Sequence, residues 1–235
     1  SGFSPYGQEV LKRMSVDADF LKSYLKTQGR LYMFPVAVAL EFYAQMPNVQ
    51  FVGTKEQWKK LGYSISQEQD GIKFVDSKAN TYNLYEISQL ENVKQPPTSW
   101  QVTSQNMDFV KNELCKMYSI TPDDKTSVLS LVLKNDAVNS DVFDCKKAMN
   151  VPEEKENIFF RNYANALALV CAGRLEINNV LSYNVNIDTD YFKELNENEK
   201  FLFLSYVKKT AFACLENLKS IVAEYNKQRR INNEI

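Results

Sequence analysis

The chain has 235 residues, enough for one large domain or two small ones with a real core, and its 44% hydrophobic and 24% charged residues mark a globular rather than a disordered protein. A net charge of −1 means that the chain as a whole is not built to coat nucleic acid or anionic lipid, so any such binding needs a local patch. There is no histidine, which excludes Ser-His-Asp and Cys-His arrangements, HExxH zinc sites and the usual near-neutral general base.

In chain order, Asp17 to Gln28 reads as a helix with Phe20, Leu21, Tyr24 and Leu25 on one face and Gly29 as its stop. Pro35 fits the first turn of a second helix, with Val36, Ala39, Leu40, Tyr43 and Ala44 as its apolar stripe. A short third helix begins at Thr54, where Gln57 has capping-box spacing. It carries Trp58 and Leu61, and Gly62 suits the left-handed position after its end. The period then changes to two. Ile72 and Phe74 alternate with Lys73 and Val75, and Tyr82 to Ile87 alternates again, which predicts a hairpin or small sheet between Gly71 and Ile87.

Two prolines in the polar run Gln95 to Ser99 stop both helix and strand, and predict a boundary between a unit at 1–97 and a helical unit at 98–235. After it, Met107, Val110, Leu114 and Met117 recur at helical spacing. Pro122 opens a weaker helix through Val128, Leu131 and Val132. Phe159, Tyr163, Ala166, Leu167 and Val170 mark a strong one, and Asn198 to Gln228 keeps an apolar stripe from Leu204 to Tyr225 as a long amphipathic helix. The predicted fold is α+β: a small antiparallel sheet with packed helices, followed by a mainly helical half.

Cys115, Cys145, Cys171 and Cys214 have no CxxC spacing and no histidine partner, so they read as reduced thiols without metal in a reducing, cytoplasmic compartment. No apolar stretch approaches a membrane span and no signal peptide opens the sequence. Ser1-Gly2 reads as a tag remnant and the whole as a fragment of a longer polypeptide. The acidic residues, such as Asp123-Asp124 and Glu153-Glu154, fall near predicted helix starts and fit dipole complementation better than a metal or paired-carboxylate site. No catalytic constellation and no cofactor site is visible, so a non-enzymatic protein is expected.

The segment from Phe20 to Tyr63 is locally basic. Lys22, Lys26, Arg30, Lys55, Lys59 and Lys60 stand against Glu41 and Glu56, interleaved with rings such as Tyr24, Tyr32, Tyr43 and Trp58. Cations that track phosphates beside rings that stack bases suit a single-strand binder. The structural alternative is that Lys59 and Lys60 complement a helix dipole while Tyr43 and Trp58 lie in the core. The expected nucleic-acid surface comprises Arg30, Tyr32, Lys55, Trp58 and Lys59, with Lys55 and Lys59 on one helix face.

Gly29-Arg30-Leu31-Tyr32, Phe42 to Asn48 (FYAQMPN), Trp58 to Gly62 (WKKLG) and Asp70-Gly71-Ile72, in that order, resemble the ArdC-like N-terminal domain family across about residues 18 to 90. That domain is found in antirestriction proteins and at the front of large LtrC-like and DarB-like helicase-methylase proteins of conjugative elements and phages. The resemblance implies single-stranded DNA as partner, protection or processing of transferred DNA, and further domains on the same polypeptide. Met46, Tyr63, Gln67 and Asp70 depart from the family pattern at positions where it commonly has Arg or Lys, each lowering the positive charge. Two functions follow as expectations. One is a non-catalytic DNA-binding or antirestriction-associated module, and the other a protein-interaction domain that docks a helicase or methylase portion. A basic-aromatic cluster on one exposed face favours the first; a buried or dispersed one favours the second.

Overall fold

The computed structural model describes residues 4–76, 78–93, 100–178, 183 and 185–233. It is α+β, 63% helical, with one three-stranded and one two-stranded antiparallel sheet. All strands among the described residues precede residue 92; those at Ile72–Val75 and Thr81–Glu86 fall in the expected span, and those at Val52–Thr54, Ser64–Ile65 and Leu90–Glu91 lie outside it.

The N-terminal half opens with α1 (Pro5–Met14), which sequence periodicity did not reveal. Ser4 caps it by accepting the Gly7 N–H, and Val10, Leu11 and Met14 are buried. Helix α2 (Ala18–Arg30) starts where expected, with the Asp17 carboxylate accepting the Phe20 N–H at 3.0 Å. It does not stop at Gly29. That glycine is a buried helical residue with a packing role, and the helix ends at Arg30. Helix α3 (Val36–Gln45) follows the Pro35 cap and buries Val36, Ala39, Leu40 and Tyr43, while Ala44 is exposed.

Strand β1 (Val52–Thr54) leads directly into α4 (Lys55–Lys60). Six residues are too few for a stable isolated helix, so its ends must be fixed by side chains and by packing. Both ends are. Thr54 and Gln57 form the reciprocal capping box. At the other end Gly62 takes φ +84°, Gly62 N–H donates to Lys59 O and Tyr63 N–H to Trp58 O, with the Trp58 and Tyr63 rings 6.0 Å apart. Strands β2 (Ser64–Ile65), β3 (Ile72–Val75), β4 (Thr81–Glu86) and β5 (Leu90–Glu91) complete the sheets. The order β1-β4-β3 pairs Val52 with Glu86 and Ile72 with Leu84, and β2 pairs with β5.

The second half contains α5 (Met107–Met117), α6 (Val128–Val132), α7 (Ala137–Ala148), α8 (Glu156–Leu175), α9 (Thr189–Glu194) and α10 (Glu197–Asn233). Pro122 does not open a helix; Ser127 caps α6 instead. In α10, Leu204, Val207, Ala211, Leu215, Leu218 and Val222 are buried in the expected register.

The expected boundary at Gln95 to Ser99 falls within residues 94–99, which lie outside the described residues. On either side of it the core is continuous, running from Val10 and Leu25 through Leu167 and Val170 to Val222. Its closest crossing joins the two halves: α2 lies on α8, with Gly29 and Gly173 at the contact.

Candidate functional site

The five residues expected to form one binding surface take different structural roles. Tyr32 is only 3% exposed. Its hydroxyl donates to Glu216 Oε1 at 3.0 Å and accepts from Trp100 Nε1 at 3.1 Å, and burial pushes its pKa up to about 12. Trp58 is also 3% exposed, and its Nε1 donates to the Tyr85 carbonyl of β4 at 2.9 Å. In this structure both rings are packed into the core and not laid open on the surface.

Arg30 is half-buried at the end of α2. Its Nε donates to Val49 O at 2.7 Å and its Nη2 to Thr27 Oγ1 at 2.7 Å, which ties the chain between α3 and β1 to the helix. Burial lowers its pKa, opposed by the charges of Glu176, Tyr43 and Glu86. The Arg30 guanidinium thus acts as a strut. Lys26, counted in the basic segment, is spent on an ion pair with Glu176 at 2.9 Å.

Lys55 and Lys59 remain as expected. Both are exposed on α4, as is Lys60, and none of the three is in an ion pair among the described residues. Glu56 lies between them, and the exposed Leu61 follows. The site predicted from sequence is therefore two lysines at i and i+4, with a third beside them, and with the partly exposed Tyr63 following the helix.

Two groupings escaped the sequence reading. The first is a layer of aromatic and charged side chains where α10 meets the loop before α3. The Tyr32 and Phe212 rings are 5.9 Å apart. The Arg174 guanidinium lies 4.1 Å over Trp100 and donates to its carbonyl, and Lys208 Nζ is 5.2 Å from the Phe212 ring centroid. Burial lowers the pKa of Arg174 to about 10 and also lowers that of Lys208. The second is a buried polar network between α7, α8 and α10. Thr210 Oγ1 contacts Tyr163 Oη at 2.7 Å and donates to Asp141 Oδ2 at 3.0 Å, while Lys209 Nζ meets Asp141 Oδ1 at 2.7 Å. Residue types alone signal neither grouping, because both depend on which helices meet.

The four cysteines are unlinked and buried, and among the described residues no three His, Cys, Asp or Glu side chains cluster to hold a metal. Among those residues no helix is long and apolar enough to cross a membrane. No family model, no curated protein and no solved structure matches the chain.

Proposed function

We propose that the chain is a non-catalytic docking module, which holds a partner protein portion such as the helicase or methylase that the ArdC-like resemblance implies. The observation that carries this reading is the burial of Tyr32 and Trp58 together with the engagement of Arg30. A single-strand binder combines a phosphate track with rings on which successive bases stack, and here Tyr32 and Trp58 belong to the core. A non-enzymatic role is supported by the lack of histidine and by two thiols unsuited to act as nucleophiles, Cys145 pushed up to about 12 by burial and Cys171 raised by its hydrogen bond with Cys214 and by burial. Buried, unlinked thiols also suit the reducing cytoplasm.

A second reading rests on Lys55, Lys59 and Lys60. Three exposed cations on α4, in no ion pair among the described residues and two of them in the WKKLG segment of the resemblance, support single-stranded DNA binding through phosphate alone, and with it an antirestriction-associated role. A titration of labelled single- and double-stranded oligonucleotides at low and moderate salt separates the two. The docking reading expects no binding by the folded protein at low salt. Salt-sensitive binding that disappears in the Lys55→Glu, Lys59→Glu double variant would overturn it in favour of DNA.

A further inference from the structure

Helix α10 turns one face to the core and another to solvent as far as Tyr225, and its last two turns, with Lys227 and Arg230, are exposed on every side. Positions 208, 212, 219, 223, 227 and 230 follow one line along the outer face, because steps of three, four, seven or eleven residues return to nearly the same angle. The line carries Lys208, Phe212, Lys219, Ala223, Lys227 and Arg230 and extends about 33 Å at the helical rise. Glu216 also lies on it, but its carboxylate is occupied by the Tyr32 hydroxyl and by Lys219 at 3.6 Å. Lys208, Lys227 and Arg230 are in no ion pair among the described residues. In a chain of net charge −1, these three cations add positive charge that the Lys219–Glu216 pair does not offset.

The line has a centre as well as a charge. Phe212 is 37% exposed, with Lys208 against its ring, and beneath it Tyr32 and Trp100 form a packed aromatic floor. Lys208 is half-buried without a carboxylate, and desolvation lowers its pKa, so a partner's carboxylate would relieve a cost already present in the free protein. An aromatic anchor on a well-packed base beside a partly desolvated cation has the composition of an interface hot spot. Ala223, farther along, leaves room for the backbone of a second helix to approach.

We propose that this outer face of α10 docks an acidic amphipathic helix of a partner protein, with an apolar side chain on Phe212 and carboxylates toward Lys208, Lys227 and Arg230. The proposal rests on the docking reading and gives it a surface and a partner chemistry. Charges spaced at helical intervals match carboxylates on a second helix. Nucleic acid is disfavoured because Phe212 is the single exposed ring on the line, where a base-stacking track needs a succession of them.

The test is fluorescence anisotropy of the whole chain with a labelled helical peptide of Glu, Leu and Ala, about 20 residues long so as to lie along the line. A matching peptide with Lys for Glu and an oligothymidylate serve as controls. Binding of the acidic peptide is expected, weakened by salt and by about ten-fold or more in the Lys227→Glu, Arg230→Glu variant, whose positions are fully solvent-facing and should not disturb folding. Adding Lys208→Glu should weaken it further, and the Lys55→Glu, Lys59→Glu variant should bind as the parent does. No peptide binding by a protein with a folded circular-dichroism spectrum would overturn the proposal, as would binding indifferent to the α10 reversals. Tighter binding of oligothymidylate, lost in the α10 variant, would overturn it in favour of nucleic acid. The α10 variant tests this surface and the α4 variant tests the DNA reading, so the failure of one is distinguishable from the failure of the other.

Discussion

Gly29 of α2 and Gly173 of α8 lie against each other's helix backbones. A methyl group on Gly29 would stand 1.7 Å from the Val170 carbonyl oxygen, and one on Gly173 2.0 Å from that of Lys26. In an open helix, Gly→Ala gains about 1 kcal/mol from reduced backbone entropy. Here the clash is with main-chain atoms that no rotamer change can move, so the two helices must separate. Gly29→Ala and Gly173→Ala should each lose about 3 kcal/mol or more, read as a lowered urea midpoint. A gain in stability in either variant would show that the helices do not cross this closely.

Trp58 and its neighbouring lysines should separate cleanly in a melting experiment. Trp58 fills space between α4 and the sheet and satisfies Tyr85 O, so Trp58→Ala should cost about 3–5 kcal/mol. Lys55→Glu and Lys59→Glu break no ion pair among the described residues, and each should change stability by less than about 0.5 kcal/mol. A Trp58→Ala protein that melts like the parent would return that ring to the candidate surface.

The Asp141 carboxylate is buried, at 4% residue exposure, and it accepts from Thr210 while meeting Lys209. Asp141→Ala leaves the Thr210 hydroxyl with the Tyr206 carbonyl as its remaining acceptor and Lys209 without its carboxylate, at a cost of about 1–3 kcal/mol. The hydrogen bond to Asp141 raises the Lys209 pKa above its ordinary value. A raised folded-state pKa gives a contribution that is complete below the unfolded-state value and is lost as pH climbs through the folded one. The difference in melting temperature between the parent and Lys209→Met should therefore be steady at neutral pH and shrink only above about pH 10.5. A difference that changes between pH 6 and 8 would count against this pairing.

The thiols give a readout of native packing. Burial pushes the Cys145 thiol up to about 12, and the hydrogen bond with Cys214, followed by burial, raises that of Cys171. An aromatic disulfide reagent should label none of the four in the native protein at neutral pH and all four in denaturant. Rapid native labelling of Cys145 or Cys171 would contradict the packing of α7, α8 and α10.

The elements legible in the sequence are those with either a strong period or complete end signals. The stripe of α10, the alternation through β3 and β4, and the Thr54–Gln57 and Gly62 signals around α4 all appear in the structure. Helix α7 was hidden because few of its side chains are buried and Phe143 points to solvent. β2 and β5 are two residues each, too short to show alternation. The candidate site was legible in its charges and not in its rings. Exposure of Lys55 and Lys59 follows from the cost of burying an ammonium. Tyr32 and Trp58 suit a surface or a core equally well from their residue type, and the deciding partners, Glu216 and Tyr85, lie far along the chain. Gly29 was misread for a related reason: a glycine near a helix end suggests a stop, whereas a close crossing with α8 is invisible locally.

The α2–α8 crossing also has a consequence for synthesis. A nascent chain that emerges N-terminus first makes α2 early but must wait for α8 before that helix is covered. At cellular elongation rates the interval is on the order of ten seconds, long enough for exposed apolar residues such as Leu21 and Leu25 to attract chaperones or other chains. The crossing thus keeps α2 uncovered until α8 has emerged, and the core closes only when α10 has followed.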